Sequence, residues 1–407
     1  MRIDACGYSP RVLDNVLTVA GELKSFDGAS RVVKRLLGVS ISGRHVGRLA
    51  RGIGLEMAAE RDAQAARHAA GELPSEVENV PDAVAVEIDG GRIRTRTEGQ
   101  GPGVHGPAWR EDKCASLMRL QSQAVAEDPH PQLPRALAQP EHVRRLVQEV
   151  KRLVATPAES TVKEADQTVA EEPPLFPKSK DYRPRPLVRT VVASMAGSDR
   201  FGELVAAEAQ RRGFYRASRR AFVADGQKCN WTIHQRHFRD FVPIVDFIHA
   251  ITYVYAAAMA VDPAHGWRLY LEWATACWQG RIAEVLAALR AWTIDHPTPD
   301  APPLANDPHE IVRQALGYLG NNAARMDYPR YRRDGLPVTS TLVESLIKEI
   351  NYRVKGTEKF WDDPDGAEAI LQIRAALLSE DEPLYRFLAN RPGNPFTRRS
   401  TLAATCQ

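Results

Sequence analysis

The chain is poor in cysteine. Five cysteines in 407 residues, Cys6, Cys114, Cys229, Cys277 and Cys406, lie far apart and form no CxxC pair. That spacing excludes a zinc ribbon and a disulfide framework, and suits a reducing cytoplasm. An excess of one charge sign is also missing. Lys and Arg number 54 against 51 Asp and Glu, a net +3, so bulk charge does not announce a nucleic-acid partner and only local placement can. The N-terminal MRIDACGYSP has no apolar signal core. The most apolar stretch, 241–261, is long enough to span a bilayer but carries Pro243, Asp246 and His249, which lipid penalises, so it reads as buried core. No membrane partner is expected.

What the sequence does contain is enough apolar residue, 43%, for a sizeable core, and enough length for two or three domains. Residues 14–23 and 28–37 show helical spacing. Gly38 follows as a cap, and a further helix over 42–51 completes a helix-turn-helix outline within an expected region 1–75. That helix carries Arg44, His45, Arg48 and Arg51, either a solvated basic face or a DNA contact.

After a polar boundary the period changes to two. Residues 83–89 read as a strand ending at Asp89, with a bend expected at Gly90-Gly91 and a second strand bearing Arg92, Arg94 and Arg96. Residues 109–120 supply a third strand, so 82–123 forms the first part of a sheet core. Prolines break up 124–190, which reads as an insertion with an amphipathic helix over 141–154 and a Pro-rich linker. The second part of the core, 191–262, has a helix over 199–212 and a strand over 219–225 ending in Asp-Gly. A buried stretch over 242–260 is either a helix or a strand passing into one. A tryptophan-rich helical block fills 263–335. The last clear helix, 339–355, lies in 336–380, and 381–407 reads as a tail.

Asp89 and Asp225 are thus expected at strand ends, on the rim where open α/β sheets keep their sites, and Glu344 near the start of a helix that can pack there. Three hard oxygen ligands suit Mg²⁺ or Mn²⁺ and phosphoryl transfer. Taken singly, each acid has a plainer explanation. Asp-Gly is a common turn, and Glu344 with Lys348 is a surface pair worth about 0.2–0.5 kcal/mol.

Whole phrases add to this. VEIDGGR at 86–92 and WREDK at 109–113 form a first block. FVADG at 222–226, Asn230-Trp231, His237-Phe238 and IVDFIHA at 244–250 form a second. LPVTSTLVES at 336–345, NYRVKG at 351–356 and Trp361 form a third. Together, over about residues 10–395, these resemble the ISKra-type insertion-sequence transposases, DDE enzymes related to mutator-type elements. The resemblance implies an α/β fold with a ribonuclease-H-like mixed sheet, interrupted by a helical insertion and preceded by a helix-turn-helix-like region. It implies Asp89, Asp225 and Glu344 as the metal-binding triad for Mg²⁺ or Mn²⁺. The chain lacks the cysteine-rich segment that some members carry ahead of the helix-turn-helix.

Asp225 and Glu344 are 119 positions apart, and the Trp-rich helical block between them then reads as an insertion closing over the core. Asp246 and His249 share a helical face. Asp246 is the rival for the second acid, and His249 either orients a ligand, contacts the scissile strand or is a satisfied core histidine. Lys348 trails Glu344 on the same helix, with Asn351 and Lys355 beyond it. Further basic clusters are Arg211-Arg212, Arg219 with Arg220, 330–333 and Arg398-Arg399. The implied function is transposition. The protein would bind the terminal inverted repeats of its element and target DNA, cleave, and transfer strands, as a homo-oligomer on the prokaryotic nucleoid in the cytoplasm. Two other functions remain open: a different ribonuclease-H-like nuclease using the same acids, and a catalytically silent DNA-binding protein derived from a transposase.

Overall fold

A computed structural model describes residues 7–95, 108–154, 184–297, 307–354, 361 and 363–391. Arg96, Lys355, Arg398-Arg399 and nearly all of the Pro-rich linker lie outside the described residues, as does the side chain of Glu344. In chain order the elements are α1 (Pro10–Glu22), α2 (Phe26–Leu37), α3 (Gly43–Ala69), β1 (Ala83–Thr95), β2 (Ala108–Gln121), α4 (Pro140–Val154), β3 (Arg185–Ser194), α5 (Ser198–Arg211), β4 (Arg219–Ala224), α6 (Lys228–His237) and β5 (Val242–Val245). The remainder is helical: α7 (Phe247–Val261), α8 (Gly266–Trp278), α9 (Ile282–Asp295), α10 (Pro308–Asn322), α11 (Tyr328–Arg333), α12 (Thr341–Val354), α13 (Pro364–Leu378) and α14 (Pro383–Asn390).

The protein is a mixed α/β structure built on a five-stranded sheet of order β3-β2-β1-β4-β5. β1 pairs in parallel with β4, and β4 with β5, while β2 runs antiparallel to both β1 and β3. Residues 83–88 of β1 are buried on both faces, which explains the near-continuous apolar run there. Both sheet edges are covered. The backbone of β3 meets Ser379 and Glu380, and the hydroxyls of Tyr328 and Tyr331 donate to the Val245 and Pro243 carbonyls of β5. Covering these edges removes an otherwise open template for strand addition.

Three expectations need correction. Asp89 does not end its strand. β1 runs straight through Gly90-Gly91 to Thr95, because β2 pairs with it along its whole length. Gly91 serves instead as a point of close approach, since a Cβ there would lie 2.8 Å from Asp112 Oδ1. The third helix does not stop at Arg51. It starts where expected, with the Ser42 hydroxyl capping it by accepting from the His45 N–H, but it continues to Ala69. Gly54 does not break it, because that helix packs so closely on α13 that a Cβ at 54 would lie 2.2 Å from the Ala369 carbonyl oxygen. Finally, α12 is not the last helix. α13 follows and is buried almost all round, so it lacks the amphipathic period that reveals surface helices.

Among the described residues, buried side chains form two clusters. One joins the sheet to α5, α7, α8 and α10. The other joins α1–α3 to α12, α13 and the far end of β1. Within the helical block Trp278 is fully buried, and Arg332, equally buried, lies over its ring while pairing with Asp128.

Candidate active site

The register of the three parallel strands builds the site. Ile88, Ala224 and Val245 are aligned across β1, β4 and β5. The next residue in each strand direction is Asp89, Asp225 and Asp246, so three carboxylates form one row across the sheet, Asp89 within β1 and the other two just past the ends of β4 and β5. Asp89 and Asp225 line a cleft of about 140 Å³ together with Arg92, Lys113, Asn230 and His249.

The three acids are not equivalent. Asp246 is fully buried and caps α7. Its Oδ1 accepts from Ile248 N at 2.9 Å, and its Oδ2 accepts from His249 Nδ1 at 2.8 Å and Ser340 Oγ at 2.6 Å. Burial alone would push its carboxyl up. The hydrogen bond and charge of His249, with Ser340 and the Ile248 N–H, hold it below the usual range. Asp225 has a freer carboxylate. Gln227 N and Asn230 Nδ2 both donate to Oδ1, at 3.0 and 2.9 Å, so Oδ2 has no donor among the described residues. At Asp89, Oδ1 accepts from Gly90 N at 2.7 Å, and Oδ2 likewise has no described donor. Burial pushes the Asp89 carboxyl up to about 7. His249 works against that rise, and the neighbouring charges of Asp225 and Asp246 add to it. Asp246 therefore acts as an anchor for His249, and Asp225 is the better ligand of the two rivals.

His249 stands on the first turn of α7. Its Nδ1 is fixed by Asp246, while its ring lines the cleft shared by Asp89 and Asp225. Glu344 lies four residues beyond Ser340, one turn into α12. The segment before α12 is tied to the β5–α7 junction twice, through the Ser340 bond to Asp246 and the Phe247 N–H to the Val338 carbonyl at 3.0 Å. α12 itself packs on β1 and β2. Lys348 does not face the cleft's acids. Its Nζ pairs with Glu149 of α4 at 3.1 Å.

The helical block reaches the second acid directly. Tyr318 of α10 donates its hydroxyl to the Asp225 carbonyl at 2.7 Å, and its ring stacks on Tyr253 of α7 at 3.9 Å. Gly226 sits at φ +94° beneath Tyr318, where a Cβ would lie 2.7 Å from the ring, so glycine answers both the turn and the crowding. Asn230 and Ser340 stood within the quoted phrases without an assigned role, and Tyr318 had no signal; the partners of Ser340 and Tyr318 are distant along the chain.

The basic residues divide into two groups. Arg44 and Arg48 are exposed on the first turns of α3, with Arg48 Nη2 2.9 Å from His45 Nδ1. Arg51 pairs with Asp363 and Asp365. Arg219 and Arg220 lie at the start of β4, the end of the strand away from Asp225. Arg219 is held by Asp82, Ser122 and the Asp334 carbonyl, and Arg220 by the Tyr215 carbonyl and the Phe241 ring.

Two oxygen-bearing carboxylates in one cleft, each with an oxygen that no donor claims, fit a hard divalent cation. Among the described residues no group of three or more His, Cys, Asp or Glu side chains is arranged to hold a metal. The third acid of the expected set is Glu344, whose side chain is not described. No helix among the described residues is long and apolar enough to cross a membrane. No family model matches the chain, and no curated protein is significantly similar to it.

Proposed function

We propose that this protein is a DNA transposase that cleaves DNA at element ends and transfers the freed strand to target DNA by in-line phosphoryl transfer. The observation that carries the reading is the row of acids that begins within β1 and continues just past β4 and β5, in which Asp89 and Asp225 each offer an unclaimed oxygen to one cleft. The strand order β3-β2-β1-β4-β5, with β2 alone antiparallel, supports a ribonuclease-H-like core.

Asp89, Asp225 and Glu344 would hold Mg²⁺ or Mn²⁺, which supplies activation of the attacking oxygen and stabilisation of the leaving oxygen. The chain's own groups do the rest. Asn230 and the Gln227 N–H fix the Asp225 carboxylate, and Tyr318 fixes its backbone. Asp246, itself held by Ser340, fixes the ring of His249 at the wall of the cleft. Lys113, a cation at the cleft wall, favours a phosphate there. The exposed Arg44 and Arg48 on α3 would bind the terminal inverted repeats, with copies of the chain pairing two ends.

The test is a strand-transfer assay with DNA carrying the inverted repeats that flank the gene. Asp225→Asn should abolish joining and leave binding of the same DNA intact. A variant that joins as well as the parent would sink the assignment. Cleavage without joining by the parent would point to a nuclease, and binding with neither to a catalytically silent descendant.

A further inference from the structure

Local bonds fix the Asp225 carboxylate relative to α6. The Gln227 N–H and Asn230 Nδ2 both donate to its Oδ1. They do not fix α6 and the 225–227 turn against the rest of the cleft. α10 of the helical block does so at two points. At the first, the Tyr318 hydroxyl donates to the Asp225 carbonyl at 2.7 Å. At the second, one turn further along α10, Asn322 Oδ1 accepts from Trp231 Nε1 of α6 at 3.0 Å. Asn322 is buried, and its Nδ2 donates to the Tyr318 carbonyl at 2.9 Å, which aims Oδ1 at the indole and ties the two grips together. The Arg325 guanidinium lies 4.4 Å from the centre of the Trp231 ring. The fit is close, since a Cβ at Gly226 would lie 2.7 Å from the Tyr318 ring and 3.0 Å from Asn322 Nδ2. α10 is also joined to the helix that carries His249. Tyr318 stacks on Tyr253, one turn beyond His249 on α7.

We infer, on the reading of the cleft as a metal site, that α10 is a positioning element of that site: Tyr318 and Asn322 hold the Asp225 turn at both ends and keep its unclaimed oxygen in place beside Asp89. Neither residue lines the cleft. Tyr318 acts through the Asp225 backbone. Asn322 acts through Trp231, whose neighbour Asn230 donates to the carboxylate. The need for such a hold is electrostatic. The charge of Asp225 acts on Asp89 across the cleft, and like charges drive a loosely held turn outward when no cation is between them. Groups that orient a metal ligand contribute to affinity although they never meet the ion. The helical block is then more than a cover over the core, because the second acid keeps its geometry only with α10 in place.

The experiment uses the full chain and Mn²⁺, with binding read by electron paramagnetic resonance in the absence of DNA. Tyr318→Phe keeps the stacked ring and removes the hydroxyl. Trp231→Phe keeps an aromatic ring beside Arg325 and removes the N–H. Each should weaken Mn²⁺ binding roughly 10- to 100-fold, the range for a lost group behind a metal ligand. Gly54→Ala, which crowds α3 on α13 instead, should lower the melting temperature and leave the Mn²⁺ affinity at the parent's value. In chelator, amide exchange within 225–231 should quicken roughly 2- to 13-fold in Tyr318→Phe, the opening that one lost hydrogen bond permits. Parental affinity or parental exchange in a folded Tyr318→Phe overturns the inference, and if that variant misfolds, the same two measurements on Trp231→Phe decide. An equal loss of affinity in Gly54→Ala would trace the effect to stability and overturn it too. A parent that binds no Mn²⁺ would sink the metal reading, while faster exchange in Tyr318→Phe would still support the hold of α10 on the turn.

Discussion

Asp89 carries the sharpest electrostatic consequence. Its carboxyl is raised to about 7 in the folded chain, against 3.8 for the ordinary side chain, chiefly by burial. The folded state thus prefers the proton. Its contribution to metal-free stability is full below pH 3.8 and is lost as pH rises through about 7. In chelator, the melting temperature of the parent should fall relative to Asp89→Asn across that window, since the amide mimics the neutral acid. Parallel curves for the two would show that Asp89 is ionised throughout. Mg²⁺ should stabilise the parent more above pH 7 than below it, because binding must displace the proton. Ser340 gives a second residue-scale expectation. Ser340→Ala removes one of the donors on the buried Asp246, which should cost about 1.5–3 kcal/mol by urea denaturation. It should also slow strand joining roughly 10- to 100-fold through a loosened His249. A stable, fully active variant would show that the bond positions nothing.

At the scale of elements, the contact between α3 and α13 has a built-in control. Gly52 and Gly54 lie two apart on α3, but only Gly54 touches another element. A Cβ at 54 would sit 2.2 Å from the Ala369 oxygen, whereas nothing lies within 4 Å at 52. Gly54→Ala should therefore destabilise by about 1–3 kcal/mol through overpacking. Gly52→Ala should stabilise by about 0.5–1 kcal/mol, the ordinary gain in a helix interior. Equal effects in denaturation would mean that the two helices do not pack as described. The same pair shows how far elements can be read from sequence. Gly38 marked the end of α2 correctly, because such caps are local chemistry, and the start of α3 was placed correctly at Ser42. The end of α3 was missed, because glycines that break a solvated helix are tolerated where a partner helix needs their space. α13 was missed for a related reason, since a helix buried all round has no polar stripe to betray it.

For the whole molecule, the exposed and the bonded arginines should behave differently. Arg44→Gln and Arg48→Gln should each reduce the salt slope of duplex DNA binding by about 0.9 and leave the melting temperature unchanged. If the slope does not move, α3 does not face DNA. The sequence by itself marked the strand stretches of β1, β2 and β4, the Gly38 cap and the turn after Asp225, because alternation, capping and turn chemistry act over a few residues. It missed β3, whose first residues follow prolines and read as linker, and it left β5 open between helix and strand. Only the tertiary structure decided which acids do what. Asp225 and Asp246 both follow parallel strands, and their roles separate only when Ser340, 94 residues further on, claims one of them and leaves the other open. The same holds for β1 and β2, which run on as a pair beyond the sheet: how far depends on where β4 and β3 stop pairing, and no local pattern encodes where a neighbouring strand ends.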